Sequence, residues 1–149
     1  MIRTFFSKSC FSRNRIFIGG NWKSNNTVEQ SNSLVQSVVN KLQYNPKNMD
    51  VMVAPINLHL QNVQSALSKD SAVLVSAQNC SNYGFGAYTG EVSPKHLKDI
   101  GIDWVILGHS ERRSHMKEPN DLVASKTKLA LENKVKVVFC FGETLEGNL

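Results

Sequence analysis

The sequence has little cysteine and no long apolar run, and these two shortages exclude several classes of protein. Its three cysteines lie far apart, at Cys10, Cys80 and Cys140. They lack the spacing of zinc ligands, so the sequence predicts neither a disulfide framework nor a metal site. No uninterrupted apolar stretch approaches the ~20 residues that span a bilayer, and no membrane partner is predicted. The length of 149 residues, 41% of them hydrophobic, indicates one globular domain of a reducing compartment.

Acidic residues are absent ahead of Glu29, and this absence marks the start of the chain as distinct. Residues 1–15 combine serines and phenylalanines with four basic side chains, Arg3, Lys8, Arg13 and Arg15. This composition is typical of an organelle transit peptide. We therefore predict a leader over residues 1–15 with a mitochondrial destination. The alternative is a disordered tail on a cytoplasmic protein.

The rest of the chain carries almost no net charge, although the formal total is +5. Beyond residue 15, 13 of the 17 basic residues stand against all 12 acidic ones. A nearly neutral body offers no electrostatic surface to a polyanion. The sequence therefore predicts no nucleic-acid partner.

Short apolar segments alternate with helix-like segments along the chain. The predicted strands begin at residue 16, where a break is expected at the glycine pair 19–20, and continue at 51–55, 72–77, 104–107 and 135–141. The predicted helices lie at 27–42, from 57 onward, at 94–100 and at 120–133, with Thr27, Asn57 and Ser93 as N-caps. Such alternation requires parallel strands joined by right-handed crossovers. An open doubly wound sheet and part of an eight-stranded barrel both satisfy it.

Residues 78–90 interrupt this alternation and contain three glycines. Their spacing is one residue too long for the dinucleotide fingerprint, and no helix opens at them. We interpret the segment as a long structured loop, a feature that is usually functional in a compact domain.

Polar side chains follow three of the predicted strands. Asn21 and Lys23 follow the first, and their spacing places both on one side if the extended conformation continues. Gln78 and Asn79 follow the third strand, and His109, Ser110 and Glu111 follow the fourth. An ammonium beside an uncharged amide suits a small anionic substrate. The alternatives are a solvated loop lysine and a histidine that satisfies only local hydrogen bonds.

Two motifs carry a resemblance to a known family. Residues 19–23 read Gly-Gly-Asn-Trp-Lys, and residues 108–113 read Gly-His-Ser-Glu-Arg-Arg. With residues 89–91 and 138–145, they occur in the order and spacing of triosephosphate isomerase, which the chain resembles from residue 16 to residue 149. The resemblance implies the α/β fold of the TIM (β/α)8 barrel, of which these residues form the N-terminal portion, an incomplete barrel of about five strands.

The resemblance also implies a reaction and a set of roles. The reaction is the interconversion of dihydroxyacetone phosphate and glyceraldehyde 3-phosphate through an enediolate, without a cofactor. In this family, a standard example of pKa tuning, a neutral histidine polarises the carbonyl while a glutamate moves the proton. That histidine corresponds to His109, Lys23 stabilises the phosphate and developing charge, and Asn21 positions substrate. Ser110 and Glu111 support them, with Glu111 holding the Lys23 ammonium.

The resemblance further implies a homodimer in which Thr89 reaches from one subunit toward the active site of the other. Four charged residues, Arg112, Arg113, Glu118 and Glu143, are interpreted as ion pairs that shape the fold. Glu143 is the nearest carboxylate to the position of the family's base, but its surroundings do not match that role.

The chain also departs from the family, whose members have ~250 residues and eight strands. Its residues include neither the family's glutamate base, nor its closing loop, nor its late phosphate loop. We therefore expect little activity from the 149 residues alone, and an open sheet with two unpaired edges predicts aggregation or partnering. Two alternative functions are a non-catalytic binding module and a different sugar-phosphate barrel enzyme.

Overall fold

The computed structural model describes residues 15–142 and contains a five-stranded parallel sheet whose strands follow chain order. The strands are β1 (Ile16–Asn21), β2 (Met49–Ala54), β3 (Leu74–Ala77), β4 (Trp104–Leu107) and β5 (Lys136–Phe139). The α-helices are α1 (Val28–Ser37), α2 (Leu60–Ala66), α3 (Pro94–Asp99), α4 (Ser110–His115) and α5 (Asn120–Glu132). Short 3-10 helices span Val39–Lys41 and Asn57–His59.

The sheet is curled, which selects the barrel over the open sheet. In a flat sheet, β1 and β4 would lie three strand spacings apart, about 14 Å. The ring centroids of Phe17 on β1 and Trp104 on β4 are 5.6 Å apart. The strand order 1-2-3-4-5 also favours the barrel, since the strand order of a doubly wound sheet reverses and this one does not. The predicted incomplete α/β barrel is confirmed.

Alternate residues of each strand pack on opposite faces of this sheet. Val51 and Val53 of β2 belong to the larger core between strands and helices. Met52 and Ala54 belong to a smaller cluster on the concave face, where Ile106 of β4 joins them. Both faces of β2 and β4 are therefore apolar, as in a parallel sheet covered on two sides.

Two local predictions were wrong. The first strand does not break at its glycines, because Gly19 and Gly20 pair in register with Met52 and Val53 of β2. The ladder to the neighbouring strand outweighs the low strand propensity of glycine. Asn57 does not cap a helix either: it starts a 3-10 helix, and α2 begins at Leu60 without a side-chain cap.

Other local predictions are confirmed. Thr27 caps α1 in a reciprocal capping box with Gln30. Ser93 caps α3, and Pro94 occupies its first turn. Helix α1 ends at Ser37, earlier than predicted, and the 3-10 turn Val39–Lys41 follows.

Several sequence predictions fall outside the described residues. These are Glu143 and, apart from Arg15, the leader. Within residues 15–142, no helix is both long and apolar enough to cross a membrane. Over the same range, no three His, Cys, Asp or Glu side chains gather closely enough to hold a metal ion.

Candidate active site

A cavity of about 680 Å³ lies at the carboxyl ends of β1, β3 and β4. Its lining includes Asn21, Lys23, His109 and Glu111, four of the residues that the sequence predicted. The strands are parallel, so their carboxyl ends meet at one rim and bring together residues such as Lys23 and Glu111, which are 88 positions apart. This rim is where barrel enzymes place their active sites.

Lys23 lines this cavity with a backbone conformation that the sequence did not predict. Its backbone has φ +55°, so the chain leaves the extended conformation there. The side-chain oxygen Oδ1 of Asn21 accepts a hydrogen bond from the Lys23 amide at 2.9 Å. The prediction that a continuing extended conformation places Asn21 and Lys23 on one side is therefore wrong, although both side chains line the cavity.

The Lys23 ammonium donates to Oε1 of Glu111 at 2.6 Å, which links the end of β1 to α4. This hydrogen bond is the main cause that lowers the pKa of the Glu111 carboxyl. Both side chains are about half exposed, so solvent screens the pair and it adds little to stability. Its effect is to orient the ammonium at the cavity.

His109 stands at the N-cap of α4, directly after β4 and Gly108. Its Nδ1 accepts a hydrogen bond from the backbone amide of Glu111 at 3.3 Å. Oε2 of Glu111 is 3.4 Å from the same nitrogen, but the amide hydrogen already points at it. Nδ1 is thus the ring nitrogen that the Glu111 amide engages. This leaves Nε2–H as the donor available to a ligand.

Ser110 and Thr89, two further predicted residues, lie outside this cavity. Ser110 is the exposed first residue of α4 and lines a neighbouring cavity of about 480 Å³ with His109. Thr89 is exposed on the loop after β3, which contains no helix or strand. The prediction of a structured loop is confirmed by the stacked rings of Tyr83 and Tyr88, whose centroids are 4.2 Å apart.

Gln78 follows β3 and contacts the Lys23 segment directly. Its Nε2 donates to the carbonyl oxygen of Lys23 at 2.8 Å and to that of Ala54 at 2.7 Å. Sequence reasoning placed Gln78 at the rim but assigned it no role. Nothing in the local sequence indicates that its amide meets residue 23, because the contact joins two loops 55 positions apart.

A buried ionic cluster lies beneath the rim. Oε1 of Glu118 accepts from Arg112 at 2.7 Å and from Lys126 at 2.5 Å. Lys126 also donates to Oδ1 of Asn79 at 3.1 Å. Burial acts to raise the pKa of Glu118, but the hydrogen bonds from both cations outweigh it and lower the pKa. The cluster ties together α4, α5 and the loop that follows β3.

Arg112 and Glu118 were both predicted to form ion pairs, and the structure pairs them with each other, whereas Lys126 was missed. A signal for Lys126 exists, since it lies three residues after Val123 and four before Ala130, on the buried face of α5. For Arg113 no ion pair is seen within the described residues, and Glu143, another member of the predicted set, lies outside them. Arg113 donates instead to the carbonyl oxygens of Gly108 and Cys140 and to Asn120.

Comparison with known proteins gives a consistent result. Residues 16–148 match the family model described as "Triosephosphate isomerase". Proteins of that name from Debaryomyces hansenii and Coprinopsis cinerea are 44% and 46% identical over 132 and 130 residues. These alignments cover 89% and 87% of this chain, but 52% and 51% of the relatives. The chain thus spans about half the length of the curated relatives it matches.

Proposed function

This chain belongs to the triosephosphate isomerase family, and on that basis we propose that the protein interconverts dihydroxyacetone phosphate and glyceraldehyde 3-phosphate. The observation that carries the proposal is the meeting of an ammonium, an amide and an imidazole in one cavity at the strand ends. These groups suit a substrate that carries a phosphate and a carbonyl. The chemistry is a proton transfer between neighbouring carbons and uses no cofactor.

His109 acts as the electrophile in this proposal. Its Nε2–H donates to the substrate's carbonyl oxygen, where negative charge develops as the enediolate forms. Nδ1 is already engaged by the Glu111 amide, which leaves Nε2–H free for this purpose. A donor aimed at a developing oxyanion strengthens its hydrogen bond in the transition state, which lowers the barrier.

Lys23 and Asn21 bind the substrate. The Lys23 ammonium neutralises part of the phosphate and enediolate charge, and Glu111 holds it at the cavity. Asn21 orients the substrate and, through its hydrogen bond with the Lys23 amide, the lysine as well. Ser110 is the first residue of α4 and lies next to His109.

The base that moves the proton is not among residues 15–142. Glu111 is the one carboxylate of the described residues that lines this cavity, and it is bound to Lys23. A carboxylate held by an ammonium is a poor proton acceptor, because the hydrogen bond lowers its pKa. The described residues therefore supply the electrophilic half of the acid–base pair.

Substitution of His109 and Lys23 in the whole protein tests the proposal. We expect His109→Gln to lower kcat by about 10²- to 10⁴-fold, the usual contribution of a positioned acid or base. Lys23→Met should raise KM for glyceraldehyde 3-phosphate, whereas Lys128→Met on the exposed face of α5 should change neither constant. Initial rates of triose phosphate interconversion provide the measurement. A loss below about threefold for His109→Gln would contradict the assigned role.

We also propose a homodimer in which the loop after β3 enters the partner subunit near its active site. The support is an exposed aromatic loop: Phe85 is 62% exposed, and Tyr83 and Tyr88 of the same loop stack on each other. Thr89 lies on the same loop and is itself exposed. We expect Thr89→Arg to shift the sedimentation coefficient of the whole protein from dimer to monomer. An unchanged coefficient would refute this role for the loop.

The leader and the exposed sheet edges each support a further proposal. A transit peptide over residues 1–15 predicts that mass spectrometry finds a shortened N-terminus in mitochondria, and an intact Met1 in the cytosol would refute it.

The alternative function, a binding module, is favoured by the exposure of Ile16, Ile18 and Phe139 on the outer strands. Complex formation by protein that lacks isomerase activity would support that alternative.

A further inference from the structure

Lys23 adopts a backbone conformation that is unfavourable for a residue with a Cβ atom. Its φ of +55° lies in the left-handed region that glycine and asparagine tolerate best. Such a conformation persists only where the surrounding structure holds it in place. The same residue presents the ammonium to the candidate active site.

Three contacts hold the Lys23 backbone and side chain. Oδ1 of Asn21 accepts from its amide, and Glu111 accepts from its ammonium. The carbonyl oxygen accepts from Nε2 of Gln78, and the same nitrogen donates to the carbonyl of Ala54 at the end of β2. The Ala54 carbonyl also accepts from the Trp22 amide at 3.0 Å. The end of β2 therefore holds the chain before Lys23 directly and the Lys23 carbonyl through Gln78.

We propose that Gln78 is a positioning residue that holds Lys23 in its left-handed conformation and thereby keeps the ammonium at the anion-binding cavity. Gln78 acts through Lys23, because its Nε2 donates both to the Lys23 carbonyl and to the Ala54 carbonyl at the end of β2. The role needs two N–H donors on one nitrogen, which the amide of glutamine provides. Its importance for substrate rests on the proposed function, whereas its effect on the Lys23 backbone does not.

Gln78→Met tests the role, since methionine has nearly the same shape and no donor. Gln64→Met is the matched control, because Nε2 of Gln64 donates to a backbone carbonyl, that of Gly101, at 3.2 Å and outside the cavity. We expect the one-bond Cα–Hα coupling of Lys23, measured by NMR on the whole protein, to report a negative φ in Gln78→Met alone. A positive φ in that variant would overturn the proposal.

Affinity for inorganic phosphate provides the second measurement. We expect Gln78→Met to weaken phosphate binding by about tenfold, and Gln64→Met to leave it unchanged. In a Lys23→Met background, Gln78→Met should have no further effect, because the ammonium that it positions is gone. A merely structural role would weaken binding equally in both backgrounds, and that additive result would overturn the proposal.

Gln78→Glu provides a second variant if Gln78→Met fails to fold. Its carboxylate places an acceptor against two carbonyl oxygens, so the same loss of the Lys23 conformation is expected. A positive φ at Lys23 in Gln78→Glu would likewise overturn the proposal. Neither measurement uses isomerase activity, so a positive φ at Lys23 in Gln78→Met refutes the role of Gln78 alone. A whole protein that lacks isomerase activity, but whose Lys23 φ turns negative in Gln78→Met, refutes the proposed function alone.

Discussion

Replacing Glu118 by glutamine removes the negative charge from the ionic cluster beneath the candidate active site. Glu118 accepts from Arg112 and Lys126 through one oxygen. Lys126 is only 4% exposed, and its other partner is the neutral amide of Asn79. The substitution keeps the shape of the side chain but leaves a buried ammonium without a counter-charge.

The magnitude follows from this burial. Removing one partner of a buried ion pair destabilises a protein by about 3–5 kcal/mol, because the remaining charge stays out of water. A domain of ordinary stability has about 5–15 kcal/mol in total. We therefore expect Glu118→Gln to lower the free energy of unfolding at neutral pH by about 3–5 kcal/mol, which is at least about a fifth of such a total.

Glu132→Gln on α5 is the matched control. Glu132 lies 4.0 Å from Lys128, and both side chains are exposed, so water screens the pair. We expect this variant to lose about 0.5 kcal/mol or less. Denaturant unfolding followed by tryptophan fluorescence measures both variants, since Trp22 and Trp104 lie at β1 and β4.

A double-mutant cycle and a pH series complete the test. Lys126→Met in the Glu118→Gln background removes the stranded ammonium, so the two losses should not add. The pKa of Glu118 is lowered in the folded protein, so its stabilisation is present above the unfolded pKa of about 4.3 and is lost as pH falls through the folded value. The difference between wild type and Glu118→Gln should therefore shrink in acid. A loss below about 1 kcal/mol at neutral pH, or additive losses, would refute the reasoning.

Three further predictions concern single residues. Gly108→Ala should lower the unfolding free energy by at least about 2 kcal/mol in denaturant titration, because φ is +74° and a Cβ would lie 2.8 Å from the carbonyl of Cys140. Gly84→Ala, which meets nothing within 4 Å, should be nearly neutral, and equal losses would contradict the argument. Burial raises the pKa of the Cys80 thiol to about 12, so iodoacetamide should label Cys80 only after unfolding. Peptide mass spectrometry measures the labelling, and a labelled Cys80 in the native protein would contradict the prediction. Thr27→Ala should cost about 1 kcal/mol by removing the cap of α1, and an unfolding midpoint equal to that of wild type would disprove it.

Local patterns in the sequence predicted those parts of the fold that depend on neighbouring residues. The apolar run 104–107 became β4 without a change of boundary. Thr27 and Ser93 became caps, since a cap needs only a short polar side chain and the amides two or three residues later. The motifs around residues 21–23 and 108–111 identified the residues that meet in the cavity.

Local patterns failed where a distant contact decided the conformation. The glycine pair of β1 extends because β2 supplies a ladder for it. Lys23 turns left-handed where Asn21 and Gln78 bind its amide and carbonyl. Arg113 donates to carbonyl oxygens at the ends of β4 and β5, contacts that require these two strands to lie side by side.

The sequence by itself determined the alternation of five strands with helices, the caps of α1 and α3, the family and the identity of the residues at the rim, because each of these follows from short-range periodicity or from motifs in order. Only the tertiary structure decided how the Lys23 ammonium is held, what Gln78 contacts and which cation shares Glu118 with Arg112. These contacts join residues separated by up to 88 positions. Their partners become neighbours only when parallel strands bring their carboxyl ends to a common rim.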